Sequence, residues 1–485
     1  MALADGWFGH NFLAMSDANA LFPLLRQSAD PDAVTALERL VSEAPDWRLT
    51  HMNALDFAKR ETLDEERTIA MFLHAARIGI CELSWNVLCP SCGGVLGANT
   101  TLKSVRSDEY HCAFCEVVQE PTLDDMVEVS FTITPRVRAI AAHTPHMLPI
   151  WEYFRQVFFG TRVALPEDGL QSALEAVTLD GVELPAGDKA ILSLQLPAGT
   201  LIVFEPVTHA AQFIEVKGEP TRERQALGLA YGSSSSPTAE PIGLRPGPLR
   251  LSLDNRTNGR TLPSIWVVND ALNELLGRRR PFLTAKRMLS NQTFRDIYRT
   301  DTLEVDQRLK ITSLTFLFTD LKGSTELYER VGDLAAFDLV REHFATLNEI
   351  VAAGGGAVVK TIGDAVMATF PTPDRALSAA FRMREAMRGL NEHHDGREDL
   401  VLKIGIHEGP CLAVTLNERQ DYFGSTVNIA SRVQGLAATP SILATDSVID
   451  HPLSASVFSN GRQRPTARQH ALRGLAAERT VYEIP

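Results

Sequence analysis

Ser313-Leu-Thr-Phe-Leu-Phe-Thr-Asp320-Leu-Lys-Gly-Ser-Thr325, Lys360-Thr-Ile-Gly-Asp364 and Asp421-Tyr-Phe-Gly-Ser-Thr-Val-Asn428-Ile-Ala-Ser-Arg432 are the segments on which the reading of this chain turns. The first is a compact apolar strand that closes on Asp320 and runs into a turn whose backbone N–H groups can cradle phosphate oxygens at a helix start. After it, Phe337, Val340, Phe344, Leu347 and Val351 recur at helical spacing, and three glycines from Gly354 end that helix. Residues 357–369 read as strand, Gly363-Asp364 turn and returning strand. A helix over 375–390, a strand over 401–406 and a helix over 425–436 complete an α+β domain spanning 311–485.

Singly, the polar residues of these segments have ordinary explanations. An Asp after a strand caps or turns, and a lysine on a strand is often an exposed sheet residue. Together, Asp320 and Asp364 offer two carboxylates to a pair of hard cations. Asn428 and Arg432 lie four apart on a helix, so they share one face and can reach one ligand.

Over residues 313–485 the sequence resembles the class III nucleotidyl cyclase catalytic domain, a ferredoxin-like palm, and the three quoted segments carry that resemblance. It implies Asp320 and Asp364, with Leu321, as the positions holding two Mg2+ or Mn2+ ions. It implies Lys360 and Asp421 as purine readers, Asn428 as the ribose-orienting residue and Arg432 as the group that steadies the phosphoryl oxygens. The reaction implied is attack of the ribose 3'-hydroxyl on the α-phosphorus with loss of pyrophosphate, in which two cations and fixed donors do most of the work. A lysine only donates and an ionised aspartate only accepts, which suits adenine and reverses the pattern of guanine. The expectation is therefore an adenylate cyclase acting on ATP. The alternatives are a guanylate cyclase or a non-catalytic cyclase-like scaffold joined to a zinc-ribbon regulator. No His/Asp metal cluster accompanies the aspartates, which disfavours a phosphodiesterase. In the family, one site draws its metal ligands and its purine, Asn and Arg residues from opposite partners, so a homodimer is implied. Some members place a phosphate-binding arginine where this chain has Pro410. Lys322, Gly323, Ser324, Thr325 and Arg473 are the substitute candidates for phosphate contact.

Cys89-Pro-Ser-Cys92 and Cys112-Ala-Phe-Cys115 are two C-x2-C knuckles separated by 19 residues, a spacing at which four thiolates close on one structural zinc ion. Cys81 and Cys411 read as buried apolar residues. Before the knuckles, residues 1–88 read as helical and possess a helix, turn, helix and extended pattern similar to a winged helix. The capping-box spacing Thr62 to Glu65, the stripe Ile69, Phe72, Leu73 and Ala76, and Gly79 at a C-cap position define one firm helix. Residues 89–125 form the zinc ribbon, 126–268 alternate as a β-sandwich-like domain, and 269–310 read as a helical connector. Its Arg278, Arg279, Arg280, Lys286 and Arg287 suggest a solvated basic face, with an interdomain contact as the alternative. Asn255-Arg-Thr matches a glycosylation sequon by chance. The region around residues 78–90 and the following knuckle also resembles a poorly characterised domain that precedes some bacterial cyclase domains, which implies regulation by an unknown ligand or protein.

The 485 residues carry 47 Lys plus Arg against 60 Asp plus Glu, a net charge of -13. That balance opposes spreading over nucleic acid or anionic lipid. Residues 1–88 contain 13 acidic and 7 basic side chains, which argues against a DNA-binding winged helix. The longest apolar stretch, 190–204, is interrupted by Pro197 and Gly199 and falls short of the roughly 20 residues of a spanning helix. With no signal-peptide pattern at the start, the expectation is a cytoplasmic protein with reduced thiols.

Overall fold

The computed structural model describes residues 18–232, 240–299, 303–304, 307–393, 400–416, 418–437, 441–459, 465–473 and 478–485. It divides into two compact units, the first numbered 1–100, 108–121 and 126–283 and the second 101–107, 122–125 and 284–485. Among the described residues no helix is long and apolar enough to cross a membrane.

In the first unit the helix Glu65–Arg77 buries Ile69, Phe72 and Leu73, and Gly79 follows it at φ 84°. Its cap corrects the expected Thr62 box. Asp64 is the N-cap and accepts from Arg67 N, while Thr62 is left-handed and closes the preceding helix Ala54–Glu61. An anionic side chain directly before the first turn satisfies both an orphan N–H and the helix dipole. Cys81–Leu88 pairs on one side with Val95–Asn99 and on the other with Val127–Ile133. Beyond them, a three-stranded sheet (Gln225–Tyr231, Gly247–Asn255, Lys189–Leu196) and a five-stranded sheet share one apolar core. Leu249, Leu251 and Leu253 face Leu201, Val203 and Ile214 there, because alternate residues of each strand point inward.

Only part of the basic run is a solvated face: Arg278 is exposed and pairs with exposed Glu274 at 2.6 Å. Arg279 donates to the Ser91 carbonyl, and Arg280 reaches Asp56 (3.4 Å) and the Val163 carbonyl (3.2 Å). In the second unit Lys286 Nζ lies 3.1 Å from Asp124. Each of these three cations is held by a protein acceptor, of which Asp124 is buried. Asn255 is fully buried and donates to the carbonyls of Leu184, Pro185 and Gly259, so its sequon is a turn lock.

The second unit is built on one eight-stranded sheet. Its strands are β1 (Leu309–Leu321), β2 (Ala357–Ile362), β3 (Ala365–Phe370), β4 (Leu402–Leu416), β5 (Arg419–Phe423), β6 (Ile442–Thr445), β7 (Thr466–His470) and β8 (Arg479–Ile484). The order is β2-β3-β1-β4-β6-β8-β7, with β5 paired to β4. The helices are α1 (Ser324–Val331), α2 (Asp333–Ala353), α3 (Pro373–His393) and α4 (Ser425–Gly435). α2 and α3 cover a core of Leu317, Val366, Phe370, Ile404 and Ile406. Phe337, expected in the buried stripe of α2, is 62% exposed. The buried stripe is Ala336, Val340, His343, Leu347 and Ile350, and Phe337 stands about 100° off it. Segments 101–107 and 122–125 belong to this unit, where Asp124 Oδ2 accepts from Thr312 N at 2.6 Å and Leu123 N donates to the Lys310 carbonyl at 2.9 Å.

Burial lowers both His51, in the first unit, and His407, in the second, to about 4. Each is neutral when folded, whereas the unfolded imidazole titrates near 6.5. The unfolded chain therefore binds more protons between these values, so stability is present above about pH 6.5 and is lost as pH falls toward 4. Between pH 7 and pH 5 the expected loss is about 2 kcal/mol for each histidine. Urea titrations at the two pH values, repeated with His51→Gln and His407→Gln, measure it. An unchanged midpoint in the parent chain would refute the assignment.

Candidate active site and cysteine cluster

Asp320 ends β1 and Asp364 follows the Gly363 turn between β2 and β3, where Gly363 adopts φ 64°. β1 pairs with β3 from Thr315 to Thr319, which brings the two carboxylates to the same end of adjacent strands. Burial and the neighbouring Asp364 charge both push the Asp320 carboxyl above its ordinary range. Asp364 Oδ2 is buried and has no hydrogen-bond partner. Two mutually repelling carboxylates, one with an orphaned oxygen, are a donor set that fits hard divalent cations. Leu321 is buried beside them.

Lys360 Nζ lies 2.5 Å from Asp421 Oδ2, while Asp421 Oδ1 accepts from Tyr422 N at 2.8 Å. Lys360 is half-exposed and Asp421 mostly buried, so the pair presents one donor and one acceptor at the surface. The strand register explains why sequence distance misleads here. Asp320 faces Lys403 and Asp421 faces Val414, at opposite ends of β4. The β1–β4 ladder shifts register between Ile311 and Leu314.

Asn428 is exposed and Arg432 half-buried on α4, whose inner face buries Thr426, Ile429, Ala430 and Val433. Gln434, on the same helix, hydrogen-bonds Asp320. At 100° per residue, Arg432 and Asn428 lie about 160° and 120° around the helix from Gln434. Their shared face is thus turned away from the carboxylates of their own chain. α4 lies close against β4. A Cβ at Gly405 would meet Gln434 N at 2.2 Å. Gly405→Ala is expected to displace α4 and cost about 1 to 3 kcal/mol. A fall in melting temperature together with at least about tenfold lower nucleotide turnover is the expected outcome, and wild-type values for both would contradict this packing.

Of the phosphate candidates, Lys322 and Gly323 are exposed directly after β1, and Gly323 has φ 68°. The side chains of Ser324 and Thr325 lie outside what the structure describes. Arg473 is exposed after β7, four strands away from β1 in the sheet. Sequence reading missed Gln434 and Arg295. Arg295 Nη2 donates to the carbonyls of Val359 (3.3 Å) and Gln420 (2.9 Å), the residues directly before Lys360 and Asp421. It clips together the two strands that carry the Lys–Asp pair. No spacing signal links position 295 to either strand.

In the first unit the Sγ atoms of Cys89, Cys92, Cys112 and Cys115 all lie within 4.8 Å of one another, and Cys92 and Cys112 are 3.7 Å apart. Four thiolates about 2.3 Å from a common ion would be about 3.8 Å apart, so the set fits tetrahedral zinc. The cluster is backed by Phe114, which meets Phe204 and Trp266 edge-on at 5.0 and 5.5 Å. Cys81 and Cys411 are buried, and burial pushes both thiols up.

Residues 15–296 match the family model described as "Family of unknown function (DUF5939)", and residues 307–465 match "Adenylate and Guanylate cyclase catalytic domain". The chain belongs to the DUF5939 family and carries a class III nucleotidyl cyclase catalytic domain at its C-terminus. This cyclase domain contains all six of Asp320, Asp364, Lys360, Asp421, Asn428 and Arg432. The DUF5939 protein is 33% identical over 185 residues to an adenylate cyclase of Anabaena cylindrica, covering 35% of this chain and 36% of that one. It is 29% identical over 242 residues to an adenylate cyclase of Mycosarcoma maydis, covering 46% and 9% respectively. The chain thus spans about a third or less of the length of these relatives. Its structure aligns with the adenylyl cyclase CyaB of P. aeruginosa at 25% identity and a TM-score of 0.33, covering 37% of this chain and 96% of that one.

Proposed function

We propose that this protein is an adenylate cyclase that converts ATP to 3',5'-cyclic AMP and pyrophosphate at composite sites between two copies of the chain. The observation that carries the reading is the Lys360–Asp421 pair, a fixed donor beside a fixed acceptor, in a domain that also holds the Asp320–Asp364 carboxylates. Asp320 and Asp364, with the Leu321 backbone, would hold two Mg2+ or Mn2+ ions, whose charge would favour ionisation of the 3'-hydroxyl and stabilise the departing pyrophosphate. Lys360 donates to adenine N1 and Asp421 accepts from the 6-amino group. Guanine would set its N1–H against the Lys360 donor and its O6 against the Asp421 acceptor, at a cost of about 1 to 3 kcal/mol for each mismatch. Asn428 orients the ribose, and Arg432 donates to the phosphoryl oxygens as charge develops on them. Lys322 and Gly323 would contact the terminal phosphates.

The dimer is supported by the outward face of Asn428 and Arg432 and by apolar side chains left at the surface of the cyclase domain. Leu334 is 85%, Phe423 66% and Ile362 55% exposed, which is costly unless a partner covers them. Product identification by mass spectrometry tests the activity, with ATP, GTP, CTP and UTP supplied separately with magnesium or manganese. Cyclic AMP from ATP alone is expected. Cyclic GMP would overturn the base assignment, and no product with any nucleotide would favour a non-catalytic scaffold.

The four cysteines would hold one structural zinc ion, and the N-terminal unit is read as regulatory, in a cytoplasmic protein. Zinc removal by a strong chelator is expected to lower the first unit's melting temperature, because metal binding is coupled to folding. One zinc per chain by elemental analysis, lost in Cys112→Ser, checks the site, and a metal-free preparation with an unchanged melting curve would refute it. Regulation is best tested by point variants. Removing everything before Asn269 would also remove Asp124 and segment 101–107, which belong to the catalytic unit itself.

A further inference from the structure

The first unit contains a second built site, remote in sequence from the cyclase motifs. A cleft of about 120 Å³, open to solvent, is lined by Arg48, Arg60, Arg155 and Arg280, with Asp56 as the carboxylate in its wall. Its remaining walls include Trp47, Phe57, Phe159 and Leu165. This mixture of apolar wall and convergent charge is that of a site for a small molecule.

The charges around the cleft are unequally matched. Arg60 is engaged by Asp56 at 2.7 Å and by Glu167 at 2.5 Å. Arg280 shares Asp56 at 3.4 Å and donates to the Val163 carbonyl. Arg155 stacks over Trp47, with its guanidinium carbon 4.6 Å from the ring centroid, and its nearest carboxylate, Glu152, is 3.8 Å away. Arg48 makes no direct ion pair among the described residues, and from a distance its guanidinium adds to the effect of Arg60 in holding the Glu167 carboxyl below its ordinary range. The Nε–H groups of Arg155 and Arg280 are buried without an acceptor. Buried charged donors are seldom left in this condition.

The floor is rigid. Fully buried Glu128 accepts from Thr161 N and Thr161 Oγ1 at 2.8 and 2.6 Å, and from Asn86. At the wall, His51 is held at φ 47°, a conformation that non-glycine residues rarely adopt. Local strain of this kind persists where the surroundings hold a site in shape.

We propose that this cleft is a binding site for a small organic oxoanion with a flat apolar body, its phosphate or carboxylate held by Arg48, Arg155 and Arg280 and its body against the aromatic wall. Guanidinium forks match both oxoanions in bidentate geometry. The inference concerns the DUF5939 region alone and stands or falls independently of the cyclase assignment.

Isothermal titration of the full chain with phenyl phosphate and, separately, benzoate tests it, with phenol supplying the body without charge and inorganic phosphate the charge without a body. Phenyl phosphate or benzoate is expected to bind more tightly than either fragment, and which of the two is preferred identifies the oxoanion. Arg155→Gln and Arg48→Gln should each weaken that binding by at least about tenfold, and Arg250→Gln, on an exposed strand position elsewhere, should leave it unchanged. If Arg155→Gln does not fold, Arg48→Gln carries the test, because Arg48 supports no ion pair. Absence of binding by both phenyl phosphate and benzoate at millimolar concentration would overturn the proposal, as would an affinity that Arg48→Gln leaves unaltered.

Discussion

Asp364→Asn is expected to lower cyclic nucleotide formation by about three orders of magnitude without lowering the melting temperature. The asymmetry between the two effects follows from the environment of the side chain. Asp364 Oδ2 is buried without a partner, and its charge helps push Asp320 upward. Replacing the carboxylate by an amide removes a repulsion from the folded protein, so stability is preserved or slightly raised. The same replacement removes a metal-binding oxygen and with it much of the charge that stabilises the transition state. Turnover at saturating ATP and metal, alongside a thermal melt, separates the two. Near wild-type turnover would sink the metal-ligand role, and a collapsed melt would mean that the carboxylate is structural.

Mixing two inactive variants is expected to restore activity. Asp364→Asn removes one half of a composite site and Arg432→Ala the other, so each homodimer carries two dead sites. In an equal mixture that exchanges subunits, half the dimers are mixed, and each mixed dimer holds one site with every residue intact. Recovery should therefore approach about a quarter of wild-type turnover. The geometric basis is the rotation about α4. Gln434 meets Asp320 of its own chain, whereas Asn428 and Arg432 face the other way. If the mixture stays as inactive as its components after subunit exchange has been verified, the site is complete within one chain and the dimer proposal fails.

The legibility of this chain in its sequence differs from element to element. The 363–364 turn was readable because Gly-Asp chemistry is local, and so was the helix Glu65–Arg77 with Gly79 behind it. The knuckles were readable because C-x2-C spacing constrains four sulfurs through short loops. Errors arose where a choice between neighbours depended on packing. Asp64 took the cap expected at Thr62, and Phe337 lies one helical step off the stripe that α2 buries. The basic run was partly misread because charge alone cannot show that Asp56, Asp124 and the Ser91 carbonyl wait beside it.

By itself the sequence determined the class of the catalytic domain and the four-cysteine cluster, and it offered six candidate site residues, all from short segments whose geometry is set by turns and periodicity. Tertiary structure alone decided which groups meet. It paired Lys360 with Asp421 across 61 positions, clipped both strands through Arg295 and left Asp364 with an orphaned oxygen. It also gathered four arginines from residues 48 to 280 around one cleft. Contacts of this kind depend on sheet register, strand bending and competition for buried acceptors, which are set by the whole fold and leave no local mark on the chain.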